Sequence, residues 1–457
     1  MRQYLTISTL IGIFLEGLYL TLNPFSSFTF DLKPGIIIVL FNLFILTIVN
    51  KIYIKPFIFL IIGYLAISSY IVFSGFESFY LKQLIQISAL MIYFYSFIRF
   101  VGVEYVFKTY VKCAYLYSIF ALLYLGAEVW FELPYLKFMP EVFGRLANGG
   151  LHGLMAEQSV YSMMMIPALY YSLYERAKFG LKVPIIIGFS IFVTYSAMGF
   201  IGILLTIVLY KELSNKLLIS LVLLFILSFG GFLFYEPQVK IKSVYDKETI
   251  YYCYENCSEN RYQKLIHHPY VHFAFANPSK RELWSEKNSK NNEVDRIFKD
   301  RILLSIKSVL SGKVPEVHVN NVSSYTLISN LLVMKNVIKN NPFFGGGLGS
   351  HPLNYDKYIS QVDGAASWLR ANVDLGRLDG NSLLIRILSE LGLFGFLLVF
   401  LFLLKTYKGV NDSNYRIAYS IYIYLILVFI RSGTYGSLDL FLFIFSLYFI
   451  TLKKKQN

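Results

Sequence analysis

A chain of 457 residues that is 56% hydrophobic, 18% aromatic and only 15% charged is no ordinary soluble domain, in which about a quarter of residues carry charge. With a mean hydropathy of +0.54, it is expected to be a polytopic membrane protein. The net charge of +14 would suit nucleic acid, but the basic residues flank apolar runs. That is the pattern of the positive-inside rule and of attraction to anionic lipid or substrate, so no nucleic-acid partner is expected.

The chain opens Met1-Arg2-Gln3 and runs into apolar sequence with no small-residue cleavage site, which predicts a retained first helix. Runs of spanning length, about twenty residues, lie near 5–22, 35–54, 57–74, 83–99, 110–128, 158–174, 217–235, 382–404, 416–431 and 436–452. The run from Leu181 to Tyr210 is too long for one crossing: about 45 Å as a single helix against a hydrocarbon core of about 30 Å. Charge resolves it. With the N-terminus cytoplasmic, Lys51, Lys55, Arg99, Lys108, Arg176, Lys178 and Lys182 all fall inside. Lys211 and Lys216 join them only if the long run crosses twice, turning near Ser196–Gly199. The expectation is an all-α bundle of about 12 transmembrane helices with both termini cytoplasmic.

Three regions follow: helices over 1–235, a long outer interval over 236–381, and helices over 382–457. Loops of that length are uncommon unless functional. Apolar residues at helical spacing predict helices over 294–310 and 323–339 within it, the second stopped by Asn340-Asn341-Pro342. The interval is expected to be a small, partly helical cap over the membrane domain. A shorter outer loop runs from Glu128 to about Glu157.

Several groups in these outer segments have chemistry to offer, each beside a plainer reading. The glycines of Gly345–Gly349, Gly347 and Gly349 among them, could turn backbone N–H groups toward an anion or simply form a flexible connector. They lack the Gly-Lys-Ser/Thr of a nucleotide loop. His351 directly after them is a possible general base or an ordinary loop histidine. Asn381-Ser382 is a good N-cap, and its helix dipole would also favour a diphosphate. Arg386 and Glu390, one turn apart within an apolar helix, read as a mutually neutralising pair; Glu16 and Asp439 lack an evident partner. Cys253 and Cys257 either pair as a small staple in an oxidising compartment or stay unpaired. His267, His268 and His272 have metal-like spacing without a coordinating carboxylate, so no metal or other cofactor is expected.

Two motifs together carry a family resemblance. One is Asn341-Pro342-Phe343-Phe344-Gly345-Gly346-Gly347-Leu348-Gly349-Ser350-His351, followed by Gly380-Asn381-Ser382 and Glu390-Leu391-Gly392-Leu393-Phe394-Gly395. The other runs from Arg145 through Gly149, Gly150 and Gly153 to Glu157-Gln158-Ser159, with Gln158 where the family pattern has proline. The chain thus resembles the O-antigen polymerase and ligase superfamily of membrane glycosyltransferases. The resemblance implies a metal-independent enzyme on the outer face of the bacterial inner membrane, acting on a polyprenyl-diphosphate-linked oligosaccharide. A hydroxyl of the acceptor displaces the diphosphate. Arg145, Arg370 and Arg377 are then candidates to hold the leaving diphosphate, with Gly347, Gly349 and Asn381 as further binding positions. His351 is the candidate base, with Glu157 behind it. Membrane lipid and a chain-length regulator are the implied partners.

Ligases of the superfamily carry His-Asn where this chain has Gly380-Asn381, which favours a polymerase over a ligase. A flippase for the same lipid-linked sugar is the competing class, and the long outer interval argues against it. A scaffold for chain-length regulators would leave both motifs without a purpose.

Overall fold

The computed structural model describes residues 1–15, 20–25, 28–72, 78–131, 158–194, 196–209, 242–246, 249–253, 263–264, 322–362, 376–377, 380–412 and 414–452. Its core is built wholly of α-helices. In chain order they are α1 (Arg2–Phe14), α2 (Pro34–Ile48), α3 (Pro56–Val72), α4 (Ser78–Val101), α5 (Val103–Phe131) and α6 (Gln158–Tyr174). Then come the short α7 (Arg176–Phe179), α8 (Lys182–Val193), α9 (Ala197–Leu209), α10 (Val322–Asn340), α11 (His351–Val362), α12 (Leu383–Gly409), α13 (Tyr415–Arg431) and α14 (Leu438–Leu452). Among the described residues, three helices are long and apolar enough to cross a membrane: Tyr80–Val101, Val103–Tyr124 and Leu383–Gly409. Shorter apolar helices cover Pro34–Ile48, Pro56–Ser68, Lys182–Val193, Ala197–Leu209 and Leu438–Thr451.

The first expected helix is shorter than its apolar run. It ends at Phe14, and Leu20–Phe25 (β1) pairs antiparallel with Phe28–Leu32 (β2). Pro24 lies within β1, where it gives no N–H to the ladder, and the register shifts between Leu22 and Phe25. Within the long interval, Lys242–Asp246 (β3), Thr249–Cys253 (β4) and Gln263–Lys264 (β5) form a second antiparallel ladder. The helix expected over 294–310 lies outside the described residues, as do Cys257, Glu16 and the three clustered histidines.

Helix α6 is the centre of the bundle, buried on every side from Tyr161 to Tyr174 and packed by α5, α8, α9 and α13. Pro167 interrupts its hydrogen-bond ladder, and the Tyr110 hydroxyl of α5 donates to the Met164 carbonyl beside the gap. The 181–210 run doubles back on itself, as its charges demanded. Going up α8, Gly188 lies against Leu169 and Thr194 meets the Ser162 hydroxyl at 2.9 Å. Coming down α9, Gly199 lies against Ser162, Gly202 against Ile166, and the Leu209 carbonyl accepts from Tyr170.

Basic residues collect at one end of this bundle. Arg2 lies over the Phe100 ring, Arg99 over Tyr53, and Lys108 pairs with Glu104. Arg416 and Lys178 both bind Glu175 there, at 2.6 and 2.5 Å. Gly409 at the end of α12 abuts Thr451 at the end of α14, so both ends of the described chain share this side. Deeper in the bundle, buried Asp439 accepts from the Tyr424 hydroxyl at 2.6 Å, and buried Asn42 donates to Ser8 at 2.9 Å.

Candidate functional site

At the opposite end, α10, α11 and α12 converge on a buried polar cluster. Its frame is a break in α12. Gly392 adopts φ 65°, ψ −164°, a conformation open essentially to glycine alone. A break in a helix frees carbonyls before it and N–H groups after it. The Asn341–Gly347 turn takes up both sets: Gly346 and Gly347 donate to the Ser389 and Glu390 carbonyls at 2.8 Å, and Leu393 and Phe394 donate to Pro342 and Phe343 at 2.8 and 3.1 Å. There is no space for side chains at this crossing. A Cβ on Gly392 would sit 2.4 Å from the Phe343 oxygen, and one on Gly345 would sit 2.6 Å from the Ser389 oxygen. The two glycine-bearing stretches of the first motif, Asn341–Gly347 and Glu390–Gly395, are therefore the two halves of one backbone lock.

Glu390, fully buried, is the hub above that lock. Its carboxylate accepts from the Gly349 N–H at 2.8 Å and the His351 N–H at 3.3 Å, which caps the start of α11. Arg386 neutralises it through Nε at 3.1 Å, donates to the Gly433 carbonyl at 2.8 Å, and lies 4.4 Å over the Tyr435 ring. The glycine-rich turn does bind an anion, and the anion belongs to the protein. With the Gly347 and Gly349 N–H groups both spent on Glu390, neither is turned toward an external diphosphate in this structure.

His351 is buried as completely, with both ring nitrogens engaged. Asn330 donates its amide to the Thr326 carbonyl at 2.7 Å, so its oxygen faces His351 Nε2 at 2.8 Å and takes that proton. Nδ1 then accepts from the Ser389 hydroxyl at 3.0 Å. Burial, followed by the Arg386 charge, pushes its pKa down to about 3. The ring is neutral at physiological pH and ties α10 to α11 and α12. It is not placed to take a proton from an acceptor hydroxyl, the role its place in the sequence suggests. Gly380 lies on this ring, where a Cβ would come within 3.2 Å.

Nearer solvent, Arg377 holds Asp356 of α11 through two hydrogen bonds, 2.8 and 2.6 Å, with both side chains about half exposed. Asn381, at φ 57°, leads into Ser382. The Ser382 hydroxyl accepts from the Ile385 N–H at 3.4 Å and donates to the Phe429 carbonyl at 2.5 Å, so this residue acts as the expected N-cap. The structure thus brings together His351, Gly347, Gly349, Asn381 and Arg377 at one end of the bundle. Arg145, Glu157 and Arg370 lie outside the described residues. Asn330, Ser389 and Asp356 join the cluster with no signal in the sequence beyond being polar.

Comparison with known proteins returns no matching family and no matching curated protein. What the described residues define is a helical protein with three helices able to span a membrane and a buried polar hub at the end opposite Arg2, Arg99, Lys178 and Arg416.

Proposed function

We propose that this is a membrane glycosyltransferase that joins oligosaccharide units carried on polyprenyl diphosphate, an O-antigen polymerase of the bacterial inner membrane. The basic end faces the cytoplasm and the hub faces outward. The observation that carries the reading is the lock itself: two separate stretches of the superfamily-like motif, Asn341–Gly347 and Glu390–Phe394, close on one another beside the Arg386–Glu390 pair. Arg377 is a half-exposed arginine at this end, held by Asp356. A leaving diphosphate would compete with Asp356 for its planar guanidinium, and Arg145 and Arg370 remain the other candidates for that charge. His351 serves as a positioning residue, and the base is sought among Glu157 and the exposed carboxylate Asp356.

The test is the lipopolysaccharide ladder of a strain lacking the gene. Core bearing a single repeat unit is the expected pattern, restored by the wild-type gene and not by Arg377→Ala or Arg145→Ala. Complete loss of O-antigen would point to a ligase or a flippase instead, with outward-facing lipid-linked polymer marking the ligase. An unchanged ladder would sink the reading.

A further inference from the structure

The segment from α10 through the Asn341–Ser350 turn to α11 is expected from the sequence to lie over the membrane domain. Its depth says otherwise. The turn meets α12 at Ser389–Phe394, not at the helix start. At 1.5 Å per residue that contact lies about 9–16 Å along the axis from Leu383. A second helix gives the same level. Tyr64, halfway along α3, donates to the Leu391 carbonyl at 3.4 Å and sets its ring 5.5 Å from that of Phe394. The Phe394 ring in turn lies 6.1 Å from Phe344.

At this level the turn presents aromatic rings outward. Phe343 and Phe344 are 67% and 41% exposed, and they continue an exposed apolar strip on α12 made of Leu393, Phe394, Leu397 and Leu401. A loop at such depth is tolerated only if its backbone polar groups find partners within the protein. The break at Gly392 supplies them through the four hydrogen bonds of the lock. Lys335 and Lys339, one turn apart on the exposed side of α10, complete the pattern, because charges at membrane depth face water-filled space.

We propose that α10, the turn and α11 form a re-entrant hairpin whose tip enters the hydrocarbon. Phe343 and Phe344 contact acyl chains, while a water-filled recess follows the lysine side of α10 down to the same depth. The hairpin rests on the membrane reading of the helices and not on the reaction proposed above.

Nitroxide labels test it in the full chain reconstituted into nanodiscs, with Cys113, Cys253 and Cys257 changed to serine. Single cysteines at 343, 344, 397, 335, 339 and 356 are labelled, and collision with oxygen is compared with collision with a water-soluble nickel chelate. Labels at 343 and 344 are expected to match the one at 397, with an oxygen-to-nickel ratio several-fold above that at 335, 339 and 356. Labels at 343 and 344 that match 356 would place the turn in water and overturn the hairpin. Lipid-like labels at 335 and 339 would remove the recess. A nickel-accessible label at 397 would instead overturn the membrane reading and the hairpin with it. If labelling at the turn disturbs folding, Phe344→Trp serves, with its added fluorescence expected to be quenched by lipids brominated in mid-chain and not by iodide.

Discussion

Two arginine–carboxylate pairs stand close together in this molecule and have opposite standing. Arg377–Asp356 has the better geometry, two short hydrogen bonds at 2.8 and 2.6 Å. Arg386–Glu390 has a longer contact, 3.1 Å. Yet the first pair is about half exposed and the second is buried. Exposed pairs contribute up to about 1 kcal/mol, because water already solvates both charges. Breaking a buried pair costs roughly 3–5 kcal/mol, because the remaining charge has nowhere to go. Glu390 also holds the start of α11, so its loss reaches the backbone. Geometry alone would rank the two pairs the wrong way round.

The largest expected effect follows directly. Glu390→Leu should cost about 3–5 kcal/mol of stability, and adding Arg386→Met should recover much of the loss, since no buried charge is then left alone. Thermal unfolding of the purified protein reads both; equal losses in the single and double variants would break the account of Glu390 as a charge partner. Next in size is Gly392→Ala, expected to cost roughly 3 kcal/mol from a left-handed backbone and a collision with the Phe343 carbonyl. A wild-type melting curve for this variant would mean that the lock does not hold α12.

His351 sharpens the comparison through pH. Its folded pKa, about 3, lies below the ordinary histidine value, so the unfolded chain binds the extra proton first. Its contribution is complete above about pH 6.5 and is lost as pH falls toward 3. Between pH 7 and pH 4.5 the loss should be about 2–3 kcal/mol, absent in His351→Gln. Glu175 acts in a lower window. Burial raises its pKa, but hydrogen bonds from Lys178 and Arg416 outweigh that and leave it depressed. Its contribution is present above about pH 4.5 and is lost as pH falls through the folded value, so acid titration separates the two groups. The smallest effect is at Asp356. Asp356→Asn should change stability by less than about 1 kcal/mol, and raised salt should shrink the difference further; a large change would mean that this pair, too, is structural.

Much of the architecture is legible in the sequence because apolar length and charge placement are local quantities. The doubled-back run between Leu181 and Tyr210 follows from counting residues against bilayer thickness and from Lys211 and Lys216. The stop after Asn340 follows from Asn341-Pro342, and the Ser382 cap from its residue type. The antiparallel pair at Leu20–Leu32 is hidden, since hydropathy does not separate a short apolar strand from a helix. Asn330 and Ser389 were hidden for another reason: nothing in a polar residue's own neighbourhood tells which distant ring it will bind.

The sequence by itself determined that this chain is rich in apolar helices and that it carries two separate glycine-bearing stretches, Asn341–Gly349 and Glu390–Gly395. Only the tertiary structure decided that those two stretches close on one another, with the Asn341–Gly349 turn filling the break at Gly392 and a carboxylate of the protein occupying the anion site. Hydrophobic burial is written residue by residue along a chain. Hydrogen-bond partnership and the neutralisation of buried charge depend on which segments meet, and that is settled only when the chain has folded.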